Sequence, residues 1–224
     1  NFLTQYKGRS ITDALVVGVP YGGKEAGSSL VYLDGVTKAT ASVRIAHESI
    51  LAAAQAIARE KMAGMTAKAS SRPDPAYSEA LTWNDLVSQG LVTHKIVSNA
   101  DMQDAFRGTR FQDDDPEAAG NPEAPYLDLW LVDIGPPSIA KAVLEKDTLA
   151  QLNRFLAINP ESEPILVIDA GRHGLITEDF VRNTSPDLLS AKQGGLPVAL
   201  RDADLNIELH DSVPRGTALI LRTD

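Results

Sequence analysis

The segment Asp34-Gly35-Val36-Thr37-Lys38-Ala39-Thr40-Ala41-Ser42 combines hydroxyls, one ammonium group and small residues at the start of what reads as a long helix. That combination suits an anion. The first turn of a helix presents unpaired N–H groups and the positive end of its dipole, which together favour a phosphate. Thr37, Thr40 and Ser42 add hydroxyls, Lys38 adds a positive charge, and Ala39 and Ala41 leave the approach open. A plainer role competes with this one: Thr37 or Thr40 serves only as the N-cap of the helix.

Other chemistry-bearing patterns are weaker. Gly18-Val19-Pro20-Tyr21-Gly22-Gly23-Lys24 fits the first seven positions of a nucleotide-binding P-loop. Position eight needs a Mg²⁺-binding hydroxyl and holds Glu25, whose carboxylate would repel phosphates. A glycine-rich turn is the better reading. His47, His94, His173 and His210 lack the paired spacing of a zinc site, which makes them surface or structural residues. No serine stands in a nucleophile-elbow context, so no catalytic residue and no metal site is assigned. The acidic run Asp113-Asp114-Asp115 lacks the ligand order of a calcium loop and reads as solvated.

Asp34 to Thr40 resembles the flavinylation motif D-x-x-(S/T)-G-A-T of FMN-binding domains. In such domains a flavin transferase takes FMN from FAD and joins its phosphate to the last Thr as a phosphoester. The resemblance implies Thr40 as the attachment residue, Asp34 as the motif acid and Thr37 as the motif hydroxyl, with Lys38, Ala39 and Ser42 beside them. Lys38 stands where the motif usually has Gly. Its side chain either crowds the transferase, leaving the chain unmodified or holding FMN noncovalently, or pairs with the phosphodiester. Further stretches are similar to the NosR/NirI family of denitrifiers rather than to the flavin subunits of the Na⁺-pumping and Rnf complexes. They are Phe2-Leu3 to Gly8-Arg9, Ser42 to Arg59, Trp83 to Val87, Asp128 to Ile134, Ile139 to Leu156, Phe180-Val181-Arg182 and Arg201 to Asp204.

The resemblance implies a soluble periplasmic domain of an inner-membrane protein, acting as an electron-transfer flavoprotein domain rather than a stand-alone enzyme. Its covalent FMN would support nitrous oxide reductase activity or maturation. The rest of the protein would carry transmembrane helices and iron–sulfur clusters, and the absence of Met at Asn1 fits a fragment. Partners so implied are the flavin transferase, nitrous oxide reductase or its maturation factors, and the protein's own membrane domain. Phe180 and Arg182 are candidates to flank the flavin ring, core packing being the alternative for Phe180. The competing reading is a flavin-free interaction or regulatory module of a membrane complex.

The elements behind these residues read as α+β, with the long helix after the motif and a mixed or antiparallel sheet. Strands are expected over 15–19, 30–33, 91–97, 126–132, 164–168, 175–181, 198–209 and 217–221. The helix over 40–62 carries an apolar stripe of Val43, Ala46, Ile50, Ala53 and Ile57, with Gly64 as its stop. Further helices are expected over 82–87, over 99–106 with Asn99 as cap, and over 138–156. Pro20 to Gly23 reads as a turn and Ser70 to Pro75 as a connector. Two lobes, about 1–111 and 126–224, are expected around a polar loop 112–125, with 70–80 as the other candidate boundary.

Composition sets the outer limits. With 224 residues, 43% of them hydrophobic, the chain can bury a real core. A net charge of −9 without a basic patch argues against nucleic acid as a partner. The absence of cysteine removes disulfides, thiol nucleophiles and cysteine-held iron–sulfur clusters from this segment.

Overall fold

A computed structural model describes residues 2–18, 30–62, 72–112, 114–176, 180–186, 188–193 and 196–223, the side chains at positions 30, 40, 59, 62, 196 and 197 excepted. The turn at Pro20–Gly23, most of the P-loop-like segment with Glu25, the stop at Gly64, Ser70-Ser71, Asp113 and the Thr40 side chain lie outside the described residues. A 3₁₀ turn at Phe2–Tyr6 leads into β1 (Ala14–Val17), β2 (Leu30–Leu33) and α1 (Thr40–Met62). Then come α2 (Trp83–Ser88), β3 (Val92–Ser98), α3 (Asn99–Phe106), α4 (Pro116–Gly120) and β4 (Pro125–Asp133). They are followed by α5 (Pro137–Val143), α6 (Lys146–Ile158), β5 (Glu163–Asp169), β6 (Ala191–Gln193), β7 (Leu196–Val198), β8 (Leu200–Asp202) and β9 (Thr217–Thr223). The α+β expectation holds.

The chain forms two compact units. The first comprises Asn1–Ser71, Glu178–Asp202 and Thr223–Asp224; the second comprises Arg72–Thr177 and Ala203–Arg222. The polar segment 112–125 lies inside the second unit, where Asp115 caps the short helix α4 by accepting from Ala118 N.

In the second unit β3, β4, β5 and β9 lie side by side in that order. β3 and β4 are antiparallel with His94 opposite Trp130, and β4 pairs antiparallel with β5, Val132 opposite Leu166. The pleat sends Val132, Ile134, Leu166, Ile168 and Ile220 into one core, where they meet Trp83, Leu86, Ile139, Val143 and Leu152 from α2, α5 and α6. Thr82 and Ser98 each start a helix with a reciprocal capping box, to Asp85 and Asp101 respectively. Ser98 therefore takes the capping role expected of Asn99. Asn99 is the first helical residue, buried, and donates Nδ2–H to the Asn121 carbonyl at 2.8 Å.

The single helix expected over 138–156 is two. Leu144 turns to an extended backbone and bridges Leu209, and Glu145 N donates to the Glu208 carbonyl at 2.9 Å. Both residues favour a helix on their own, so tertiary pairing overrides local propensity here. Two expected strands are also corrected. At 175–181 the described residues are not in a strand, and Val181 lends its carbonyl to Thr184 Oγ1 beside Asn183 at φ 60°. Of the strand expected over 198–209, Val198 closes β7 and Leu200–Asp202 forms β8; its last residue, Asp202, is buried, and beyond it Asp204 adopts φ 53°.

In the first unit β1 and β2 pair parallel, Ala14 opposite Leu30 through Val17 opposite Leu33. Val17, Leu33 and Val43 form a small core with Phe2, Tyr6, Leu15 and Ala39 against it. The stripe of α1 differs from the expected one in its second half. Ala53 is exposed and Ile57 is 59% exposed, whereas His47 and Gln55 are buried. Apolar periodicity passes over a buried face that carries polar residues.

Backbone approach limits substitution at Gly216, where an added Cβ would lie 2.2 Å from the Asp169 carbonyl oxygen. Gly216→Ala should cost the second unit on the order of 3 kcal/mol, while Gly174→Ala, with its nearest contact at 3.8 Å, should cost little by crowding. Urea titration followed by tryptophan fluorescence checks this, since Trp83 and Trp130 both belong to that unit.

Candidate functional site

The motif segment is the joint between β2 and α1. Gln5 fixes its start: Nε2–H donates to the Asp34 carbonyl at 3.0 Å, and Oε1 accepts from Asp34 N at 2.7 Å. Ala39 N then donates to the Val36 carbonyl at 3.0 Å, closing a turn over Thr37 and Lys38. Ala39 packs on the small core, and its carbonyl accepts the first helical bond, from Val43 N at 2.9 Å. Ala39 is therefore the N-cap and Thr40 the first residue of the helix proper. The plainer reading, Thr37 or Thr40 as N-cap, is corrected by that register. An alanine offers no side-chain oxygen to the first-turn N–H groups.

Lys38 stands at φ 65°, in the left-handed region where glycine is the usual residue. That conformation gives a backbone reason for Gly at this motif position. Lys38 keeps the turn and carries the strain of a Cβ in it. Asp34, Thr37, Lys38 and Ser42 are all exposed around the joint.

One turn past Thr40, the same side of α1 becomes the wall of a cavity of about 360 Å³, inside the size range of small-molecule sites. Arg44, His47, Glu48, Leu51 and Gln55 supply this wall from α1; Leu15 and Val17 come from β1, and Ser185, Leu189 and Arg201 from the later segment. Glu48 accepts a short hydrogen bond from Ser185 N, and its Oε2 lies 3.2 Å from Arg201 Nε. Burial pushes the Glu48 carboxyl upward, opposed by the Ser185 bond and by the Arg201 and Arg44 charges. Gln55 is 6% exposed, and its Oε1 has no hydrogen-bond partner. The charged lining of Arg44, Lys192 and Arg201 against Asp13 and Glu48 is locally cationic on an acidic chain.

His47 is a structural member of this wall. Its Nε2 lies 3.2 Å from the Leu15 carbonyl and must donate, so Nδ1 accepts from Tyr6 Oη–H at 2.7 Å. Burial lowers the imidazole pKa and raises the Tyr6 phenol to about 12.

Neither Phe180 nor Arg182 lines the cavity. Phe180 is half-buried, and Arg182 Nε lies 3.9 Å from the buried Asp202 carboxylate, whose Oδ2 also accepts from Asn183 N at 3.0 Å. The structure thus groups the residues of 34–42 at one joint and leaves Phe180 and Arg182 away from the cavity lining. Sequence reading did not single out Glu48, Gln55 and Ser185. The spacing 44, 48, 51, 55 is one helical stripe, a signal available in the sequence; Ser185 and Arg201 arrive from far along the chain. Among the described residues no His, Cys, Asp or Glu group suits a metal, and no helix is long and apolar enough to cross a membrane.

Two predictions follow from this geometry. Lys38→Gly should stabilise the first unit by about 1 kcal/mol through relief of left-handed strain, read as slower amide exchange along α1. His47 binds its proton less readily folded than unfolded, so its stabilising effect is present above pH 6.5 and lost as pH falls through its lowered folded value. Glu48 acts with the opposite sign: its raised pKa returns stability as pH falls through the folded value towards 4.5. α1 exchange should therefore quicken from pH 7.5 to 6, after correction for intrinsic rates, and His47→Gln should flatten that limb.

Comparison with known proteins adds family to geometry. No family model matches the chain, and no solved structure matches it significantly. The regulatory protein NosR of Stutzerimonas stutzeri is 27% identical over 221 residues, covering 96% of this chain and 29% of that protein. The regulatory protein NosR of Pseudomonas aeruginosa is 23% identical over 208 residues, 91% of this chain and 28% of its own length. Protein NirI of Paracoccus denitrificans is 26% identical over 172 residues, 76% of this chain and 23% of its own. The chain spans less than a third of the length of these curated relatives. Across most of its length, the chain is a homologue of the NosR and NirI proteins.

Proposed function

We propose that this chain is the flavin-bearing domain of a NosR/NirI-type protein, with FMN joined as a phosphoester to Thr40. The observation that carries the reading is the Lys38 backbone at φ 65°, which keeps a glycine-type turn at the motif's one departure. The departure then costs energy rather than shape, and Thr40 remains at the start of the helix. Attachment would draw FMN from FAD onto the Thr40 hydroxyl, with AMP leaving and the hydroxyl proton released. When bound, FMN supplies redox chemistry; the chain supplies attachment, orientation and electrostatic tuning.

The residues present fit such a group. The first turn of α1 offers N–H groups to a phosphate, Lys38 sits beside it, and the Arg44–Glu48 stripe continues into a cavity of suitable size. The domain would lie in the periplasm as part of an inner-membrane protein. It would carry electrons in support of nitrous oxide reductase activity or maturation during denitrification, with a flavin transferase as maturation partner. The designation of two relatives as regulatory proteins favours a second reading, a flavin-free regulatory module.

Intact mass under denaturing conditions separates the two. Protein exported to the periplasm beside an active flavin transferase should gain FMN less one water, and Thr40→Val should not. A folded, unmodified parent chain in that experiment would leave the flavin-free module as the function.

A further inference from the structure

We propose that Gln5 is a positioning residue for the attachment turn: it holds Lys38 in the left-handed conformation, so that a residue with a side chain can stand where the turn would otherwise require glycine. This rests on the reading of Thr40 as the attachment residue, and it names the group, 29 positions before Asp34, on which presentation of Thr40 depends. Strand β2 ends at Leu33, opposite Val17 on β1, and Asp34 lies one step beyond that paired register. The Gln5 carboxamide takes the place of a strand neighbour there. Its Nε2–H donates to the Asp34 carbonyl at 3.0 Å, and its Oε1 accepts from Asp34 N at 2.7 Å. One side chain satisfies both backbone groups and fixes how the chain enters the joint.

The same short element also holds the far side of the joint. Gln5 belongs to the 3₁₀ turn Phe2–Tyr6. Phe2 and Tyr6 pack with Ala39 against the small core of Val17, Leu33 and Val43, and Tyr6 Oη–H donates to His47 Nδ1 on α1 at 2.7 Å. With Asp34 gripped at one end and Ala39 seated at the other, residues 35–38 must span a fixed gap. The span closes as a turn, Ala39 N donating to the Val36 carbonyl at 3.0 Å with Lys38 at φ 65°. Glycine enters that region without steric cost, whereas a lysine resists it. Pinning both ends removes the extended alternatives that a lysine prefers, so the conformation is enforced from outside the motif. A glycine at this position would need no such clamp.

Coupling between positions 5 and 38 is read by a double-mutant cycle on the full chain. Gln5→Met keeps the bulk of the side chain and removes both hydrogen bonds. Exchange of the Ala39 amide, whose proton closes the turn, should quicken about tenfold in Gln5→Met, the equivalent of one hydrogen bond. With Lys38→Gly already present, the same change should alter that exchange by less than about twofold. Initial rates of mass gain with FAD and a flavin transferase should follow the pattern, about tenfold slower in Gln5→Met and restored in the double variant. Restoration separates positioning from general support, because a loosened core would slow both backgrounds alike. Should Gln5→Met quicken exchange across all of α1, Gln5→Glu carries the same test, since it keeps the acceptor for Asp34 N and loses only the donor. Equal effects with and without Lys38→Gly, or no effect on Ala39 exchange, would overturn the proposal. Coupled exchange without mass gain in any variant would overturn the attachment reading while upholding the hold of Gln5 on Lys38.

Discussion

The first unit is tied across its sequence by one mostly buried carboxylate. Glu48, in the middle of α1, accepts from the Ser185 backbone and faces the Arg201 guanidinium. A buried carboxylate is costly alone, and its upward pKa shift, caused first by burial, reflects that cost. The Ser185 bond and the Arg201 and Arg44 charges offset it. Because Ser185 and Arg201 come from far along the chain, satisfying this one group ties both of them to the middle of α1.

The joint between β2 and α1 follows a different economy. Gln5 grips Asp34 from both sides, Ala39 sinks into the small core, and Lys38 takes the left-handed turn between them. The strain at a non-glycine residue there is about 1–2 kcal/mol. Burial of a core side chain such as Leu33 is worth a similar amount or more. Neighbouring contacts can therefore hold Lys38 in a conformation that it disfavours, and the motif survives a substitution at its most restrictive backbone position.

Much of the scaffold was legible because local signals and tertiary structure agreed. The helix at Thr40–Met62 and strand β2 stand at the expected residues, and β3 and β4 lie within a residue of their expected spans. The break at Leu144-Glu145 was not legible, since helix-favouring residues leave the helix to pair with 208–209, more than sixty positions away. The site divides in the same manner. The joint between β2 and α1 announces itself by residue types over nine consecutive positions. The cavity wall does not, because His47, Glu48 and Gln55 interrupt the apolar stripe that marks a buried helix face, and their partners are distant in sequence.

The similarity spans less than a third of the relatives' length, and the proposed role rests on a single covalent bond. Trypsin cleaves after Lys38 and Arg44, which isolates Thr40 and Ser42 together in the peptide Ala39–Arg44. Fragment spectra of that peptide, from protein purified out of its native membrane, test the central claim most directly. The flavin phosphate is predicted on Thr40. A flavin on Ser42 or on another peptide, or an unmodified Ala39–Arg44 from a membrane with demonstrated flavin transfer, would contradict it.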